Sequence, residues 1–227
     1  RDSRQRKPRD LMPNSDKALT YISYLKVDEL LSLQQPQSDG PEGPEHDELL
    51  FIIIHQTYEL WFKQIIHELG ALQTALEGGD THRSLALLGR IRTIMKTCVA
   101  QVDILETMTP LQFNSFRGRL QSSSGFQSAQ FREVEAILGR RDAAGAGAAA
   151  GSGMRMAEHL IEGSPARARV EAAMTRSSLW DSTLRYLAAR GYAVPTVVLE
   201  RDVTVGYEAN EAVQAVLVDV HRNDPDA

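Results

Sequence analysis

The stretch HDELLFIIIHQTYELWFKQIIHEL, residues 46–69, decides how this chain folds. An almost unbroken apolar run over residues 49–54 is interrupted by His55, and the helical pattern continues to about Leu76. We therefore predict one helix of roughly 30 residues, on the order of 45 Å long. Helices of that length are typical of bundles, so we expect an all-α fold, a helical bundle with long antiparallel helices.

A second long helix is predicted from about residue 82 to residue 105, because apolar residues recur there at spacings of three or four. These residues are Leu85, Leu88, Ile91, Met95, Cys98, Val102 and Leu105. The short turn EGGD, residues 77–80, separates the two long helices. We therefore expect them to pack as antiparallel neighbours.

Shorter helices follow. Thr109, Pro110 and Gln112 form a capping-box pattern with proline at the first helical position, which predicts that PLQFNSFRGRL is helical. After the polar loop QSSSG the pattern resumes in SAQFREVEAIL. Three further helices are predicted in MRMAEHLIEG, SLWDSTLRYLAARG and EANEAVQAVLVDVHRN, with Gly191 ending the middle one.

The amino-terminal residues 1–18 are polar and contain two prolines, so we predict a flexible arm. Thr20 can cap a helix, TYISYLKVDELLSLQ, which the segment QQPQSDGPEGPE ends. Its expected half-buried face consists of Leu25, Leu30, Leu31 and Leu33. We expect residues 19–227 to form a single helical domain, in which the Ala/Gly-rich residues 141–153 are a flexible loop.

Composition narrows the class of protein. A chain of 227 residues with 42% hydrophobic residues can bury a sizeable core. Its net charge of −5, with both signs interspersed, offers no extended basic face for nucleic acid. Neither a membrane-spanning run nor a signal peptide is visible, and the lone Cys98 cannot form an internal disulfide. We expect a cytoplasmic protein.

Phe51 and His55 are candidate site residues because they stand four apart and so lie on one face of the long helix. Tyr58 and Phe62 extend that face. An aromatic ring one turn from an imidazole can form the wall of a pocket. The alternative, a core histidine whose ring is satisfied by a nearby carbonyl, is equally compatible with the residues.

Phe113 and Arg117 repeat this spacing on the short helix, just before the serine-rich loop. The planar guanidinium of arginine suits a carboxylate ligand. An ordinary surface arginine, or one paired within its own helix, is the alternative.

Other catalytic motifs are absent from the sequence. It contains no HExxH, GxGxxG, GxxxxGK[ST] or GxSxG, which excludes the corresponding zinc, nucleotide and hydrolase signatures. No histidine has a glutamate three residues before it, as a di-iron bundle would require.

Three blocks, in order, resemble the haem-dependent tryptophan 2,3-dioxygenase family: LTYISYLKVDELLSLQQPQS, HDELLFIIIHQTYELWFKQIIHEL and FRGRLQSSSGFQSAQFREVE. The resemblance is dense over residues 19–139 and weaker around SLWDSTLRYLAARGYAVP. It implies a homotetramer, a dimer of dimers, that cleaves the indole ring of L-tryptophan with O2. The product would be N-formylkynurenine, in the first step of the kynurenine route, and the cofactor a b-type haem containing iron.

The same resemblance implies roles for the candidate residues. Phe51 and His55 would line the distal pocket, where His55 shares a hydrogen bond with the indole N–H. Arg117 would hold the substrate carboxylate. Phe113 stands where relatives have tyrosine or phenylalanine, so one carboxylate contact is expected to be missing here.

Two further sets of residues follow from the resemblance alone. Ser124 and Gly125 would lie along the edge of the haem. Tyr21, Tyr24 and Leu25 would belong to a segment that reaches into the substrate pocket of a neighbouring subunit.

The proximal haem ligand is not assignable. Relatives continue past residue 227 and are expected to carry the proximal histidine there, whereas His221 falls too early and in another context. We therefore expect a family member that lacks this part, with no metal ligand identified. Two alternatives remain: a mono-oxygenase acting on tryptophan or indole in secondary metabolism on the same scaffold, and a truncated, non-catalytic family member.

Overall fold

The computed structural model describes residues 19–40, 43–120, 127–141 and 157–223. Within these ranges the chain forms ten α-helices and no strand, which confirms the all-α prediction. The helices are α1 (Tyr21–Leu25), α2 (Val27–Leu31), α3 (His46–Glu77), α4 (Thr81–Leu105), α5 (Pro110–Arg117), α6 (Ala129–Leu138), α7 (Pro165–Met174), α8 (Leu179–Ala189), α9 (Thr196–Leu199) and α10 (Glu211–Asn223). None of these described helices could cross a bilayer, given their length and polarity. The predicted arm and nearly all of the Ala/Gly-rich loop lie outside the described ranges.

The two predicted long helices are present, and they form the centre of the fold. Helix α3 has 32 residues and α4 has 25, and they pack along each other. The turn between them contains Gly79 at φ 72°, a left-handed conformation that glycine adopts without strain. The main core cluster joins α3 and α4 to α6 and α7, and includes the fully buried Leu69, Leu72 and Val170.

The apolar residues from which α4 was predicted face the core only in part. Ile91 lies in the main core cluster, and Met95 and Cys98 pack against it. The other buried residues of α4 are Ser84, Leu87 and Ile94. Leu85, Leu88 and Val102 are exposed, with Leu85 at 56%. Apolar residues occupy two stripes of this helix, each with helical spacing, and periodicity alone cannot tell which stripe meets α3.

The prediction of a helix in MRMAEHLIEG is wrong for the part that the structure describes. Residues 157–163 form turns, with Gly163 at φ 72°. The helix begins only at Pro165, where the hydroxyl of Ser164 accepts a hydrogen bond from the backbone N–H of Arg167. Proline is well suited to the first helical position. The chain therefore becomes helical at Pro165, after MRMAEHLIEG, and forms α7, which was not predicted.

The predicted amino-terminal helix is divided in two. Thr20 caps α1 through a capping box, as expected, but Lys26 adopts a left-handed φ of 54° and separates α1 from α2. The prediction of a half-buried face is also wrong within this chain, because Leu25, Leu30, Leu31 and Leu33 are all exposed. Among the described helices, α1 and α2 pack only on each other, so none of the other described helices covers that face.

A second core cluster holds the carboxyl-terminal helices. Leu184 and Leu187 of α8 pack with Val213 and Val216 of α10. Next to this cluster, the buried carboxylate of Asp181 accepts two hydrogen bonds from the guanidinium of Arg201, at 2.7 and 3.0 Å. Burial by itself raises the pKa of the Asp181 carboxyl, but the hydrogen bonds from Arg201 and Ser178 outweigh it and hold that pKa below its ordinary value.

This lowered pKa predicts a loss of stability in acid. A carboxyl whose pKa is depressed by folding stabilises the protein above its unfolded pKa, about 3.9 for aspartate, and loses this contribution as the pH falls through the folded pKa. We expect the free energy of unfolding in urea to decrease as the pH is lowered from about 4. Asp181→Asn should weaken this dependence, and an unchanged pH profile in that variant would contradict the assignment.

Candidate active site between helices α3 and α5

Three phenylalanine rings join α3 to α5. The ring centroid of Phe51 lies 5.6 Å from that of Phe113 and 5.7 Å from that of Phe116. Phe113 and Phe116 meet at 5.4 Å with their ring planes perpendicular. These are the distances and the edge-to-face geometry that aromatic pairs prefer. We call this set the aromatic cluster; its member Phe116 is fully buried.

Local sequence determines where α5 begins and therefore which of its residues reach the cluster. The hydroxyl of Thr109 accepts a hydrogen bond from the N–H of Gln112, and the Gln112 side chain accepts one from the N–H of Thr109. Pro110 follows at the first helical position. This capping box, predicted from sequence, is confirmed, and it places Phe113 and Arg117 one turn apart on the same face.

His55 stands beside the cluster on α3. Its ring centroid is 4.1 Å from that of Phe51, and its Nδ1 lies 2.7 Å from the carbonyl oxygen of Phe51. A carbonyl can only accept, so Nδ1 carries the proton and, in the neutral ring, Nε2 is an acceptor. The carbonyl contact expected of a core histidine is thus present, but it uses only one of the two nitrogens, and the ring is half-buried.

Arg117 lies at the other end of the cluster. The central carbon of its guanidinium is 5.4 Å from the centroid of the Phe113 ring, within the range of a cation–π contact. The side chain is exposed and has no carboxylate partner among the described residues, so the pairing within its own helix does not occur. The structure therefore connects the imidazole of His55 and the guanidinium of Arg117 through two adjacent rings.

Tyr58 and Phe62 do not belong to this site. The hydroxyl of Tyr58 donates a hydrogen bond of 2.9 Å to the carbonyl oxygen of Cys98 on α4, and burial raises the pKa of the phenol. The ring of Phe62 packs against Phe131 at 5.3 Å and against the main core. Tyr58 and Phe62 continue the same face of α3, as predicted, but beyond His55 that face packs against α4 and α6 instead of α5.

The remaining predicted site residues are not brought to the cluster within this chain. Tyr21 and Tyr24 are 75% and 70% exposed, and Leu25 is exposed as well. Their helix, α1, packs on α2 alone among the described helices. Ser124 and Gly125 lie outside the described residues.

Comparison with known proteins decides the family. The family model described as tryptophan 2,3-dioxygenase matches residues 8–147, more than half of the chain. The chain belongs to the tryptophan 2,3-dioxygenase family. The resemblance stated from sequence is thus confirmed, and the chain is classed with the oxidoreductases of this family.

Similar proteins named tryptophan 2,3-dioxygenase come from several bacteria. The chain is 53% identical to that of Herpetosiphon aurantiacus over 208 residues, covering 92% of this chain and 74% of the relative. It is 54% identical to that of Anaeromyxobacter sp. (strain K), covering 92% and 73%. The protein of Caulobacter vibrioides is 39% identical, with coverage of 90% and 72%.

Two buried residues close to the recognised site residues were not predicted from the sequence. Phe116 backs both Phe51 and Phe113, and Glu48, one turn before Phe51, is a buried carboxylate at 1% exposure. Each lies three positions from a residue that was recognised, so helical spacing was the available signal.

Burial tends to raise the pKa of Glu48, but hydrogen bonds from Ser38 and from the Gln37 backbone, together with the charge of Arg119, keep that pKa below its ordinary value.

Proposed function

We propose that this protein cleaves the indole ring of L-tryptophan with O2 to give N-formylkynurenine, the first step of the kynurenine route. The observation that carries the proposal is the continuous contact from His55 through Phe51 and Phe113 to Arg117 in a member of this family. Such a site offers an acceptor for an indole N–H, a flat apolar wall, and a cation for a carboxylate. Those are the three chemical features of tryptophan.

The described residues fit one face of a b-type haem. The half-buried rings of Phe51 and Phe113 provide the apolar surface that a porphyrin requires. We propose that Ser124 and Gly125 line the edge of this haem. No axial ligand is assigned, and the described residues contain no group of three or more metal-binding side chains. When bound, haem would supply the redox chemistry with O2.

The protein's own groups would bind and orient the substrate. The guanidinium of Arg117 would pair with the carboxylate through two parallel hydrogen bonds. Nε2 of His55 would accept the indole N–H, because Nδ1 is already committed to the carbonyl of Phe51. Phe113 has no hydroxyl to offer the carboxylate, so Arg117 would carry most of that recognition. The buried Phe116 would help to exclude water from beneath the site.

We further propose a homotetramer, a dimer of dimers, in which Tyr21, Tyr24 and Leu25 reach into the pocket of a neighbouring subunit. Their exposure supports this arrangement, because a contiguous apolar and aromatic surface is costly when it faces water.

His55→Ala should reduce kcat/KM for L-tryptophan by about tenfold to a hundredfold, because the histidine orients the indole without acting as a strong base. Steady-state kinetics of the haem-loaded protein measure this effect. His67→Ala, which removes an exposed histidine of the same helix, is the matched control and should change little. A loss of five orders of magnitude would instead indicate an essential proton transfer by His55.

Isotope labelling tests the reaction itself. With ¹⁸O2, two labelled oxygen atoms in a ring-opened product support the proposed dioxygenase. One labelled atom in an oxindole would identify a mono-oxygenase on the same scaffold. If the protein encoded by the intact gene shows no Soret band after reconstitution with haem, the non-catalytic alternative is correct.

A further inference from the structure

A short segment connects the exposed amino-terminal helices to the helix that carries the site. Residues 33–38, which we call the strap, lie along α3 and are attached to it at two points. At the first, Gln56 donates a hydrogen bond of 3.1 Å to the carbonyl oxygen of Leu33, and Gln34 donates one of 2.5 Å to the Gln56 side chain. At the second, the backbone N–H groups of Gln37 and Ser38 donate to the carboxylate of Glu48, at 2.8 and 2.9 Å.

The spacing of the two attachment points agrees with an extended strap. Gln56 and Glu48 are eight residues apart, about 12 Å along the helix. The four residue-to-residue steps from Gln34 to Ser38 span about 13 Å when the chain is extended. The strap therefore fits an extended conformation along α3, from Gln56 to Glu48, without room for a loop between the two attachment points.

Glu48 is the stronger of the two anchors. It also accepts a hydrogen bond from the hydroxyl of Ser38, and that hydroxyl accepts the N–H of Glu45 at the start of α3, at 2.8 Å. Within the part of the chain that the structure describes, every hydrogen-bond donor to Glu48 belongs to Gln37 or Ser38. Hydrogen bonds to an ionised, buried acceptor are among the strongest in proteins.

The Glu48 anchor lies on the same helix as the candidate active site. Phe51 and His55 follow Glu48 by three and seven residues, so they lie one and two turns along the same side of α3. The strap begins just after α2 ends, and α2 is preceded in the chain by α1, which carries Tyr21 and Tyr24. One carboxylate thus holds the chain that leads from the site helix to the exposed tyrosines.

We propose that Glu48 is a positioning residue for tryptophan binding: by holding the strap against α3, it sets where the amino-terminal helices can reach. This inference rests on the proposed function, in which those helices complete a substrate pocket. Loss of the anchor should weaken binding of the substrate while leaving the chemistry at His55 and Arg117 nearly unchanged.

The test compares two buried glutamates of the same helix. Glu48→Gln removes the charge that the strap binds, whereas Glu68→Gln removes a carboxylate of similar burial, at 3% exposure, that pairs with Arg90 of α4. In the haem-loaded protein we expect Glu48→Gln to raise the KM for L-tryptophan about fivefold to tenfold, with kcat changed by less than about twofold. Glu68→Gln should leave both constants near those of the wild type, even if it lowers the melting temperature as much.

Hydrogen–deuterium exchange provides a second readout that needs no turnover. The amides of Gln37 and Ser38 should exchange about tenfold faster in Glu48→Gln, and at the wild-type rate in Glu68→Gln. Ser38→Ala, a milder variant if Glu48→Gln fails to fold, should raise KM by about two- to threefold. An unchanged KM, or an equal rise in both glutamate variants, would overturn the positioning role. If the wild type turned over no tryptophan, the proposed function would fail and this role with it, while faster exchange would still establish the anchor.

Discussion

Replacing Arg117 by alanine should reduce kcat/KM for L-tryptophan by about 30-fold to 1000-fold, on the order of 2–4 kcal/mol. Arg117 stands over the ring of Phe113 with no carboxylate partner in the described part of the chain, so its charge is available to a ligand. Removing it would leave the substrate carboxylate desolvated and unpaired. Steady-state kinetics with the haem-loaded protein measure the change.

Two variants make this result specific. Arg117→Lys keeps the charge but loses the planar pair of donors, so it should recover only part of the activity. Arg92→Ala removes an exposed arginine of α4 and is the control for the change in net charge. If Arg117→Ala behaved like Arg92→Ala, the proposed carboxylate contact would be refuted.

Phe116→Ala should lower the free energy of unfolding by about 3–5 kcal/mol, the usual cost of removing a fully buried aromatic side chain. The ring packs against both Phe51 and Phe113, and the cavity left behind would loosen the contact between α3 and α5. We therefore expect activity to fall together with stability. Unfolding in urea, followed by circular dichroism, measures the first effect.

Phe131→Ala provides the comparison for Phe116. Phe131 is 37% exposed at the edge of the core, where it contacts Phe62, so truncation should cost much less than at Phe116. Equal losses in the two variants would show that Phe116 is not the central contact of the α3–α5 junction.

Several helix boundaries could be predicted because their signals are local. The capping box of Thr109 and Gln112, and the cap of α1 at Thr20, join groups only three residues apart. Helix α7 is the boundary that was predicted wrongly, although its start signal is equally local: Ser164 caps the helix and Pro165 occupies its first position. A helical pattern of apolar residues, without such a start signal, does not locate the beginning of a helix.

The pairing of Phe51 with His55, and of Phe113 with Arg117, was also readable, because one turn of helix places each pair on one face. The contact between these two pairs could not be predicted from the sequence. Phe51 and Phe113 are far apart in the chain, and only the packing of α5 on α3 brings their rings to 5.6 Å. Tyr58 illustrates the same point, since its partner Cys98 is 40 residues away and draws it into the core.

The sequence by itself determined the helical class, the length of the two central helices and the residues available for a site, because backbone hydrogen bonds, caps and side-chain spacing act within a few positions. Tertiary structure decided which stripe of α4 is buried, where the Glu48 anchor attaches and which aromatic residues form the cluster. Those choices depend on how well distant surfaces fit together, and the free energy of that packing belongs to pairs of helices rather than to any one segment.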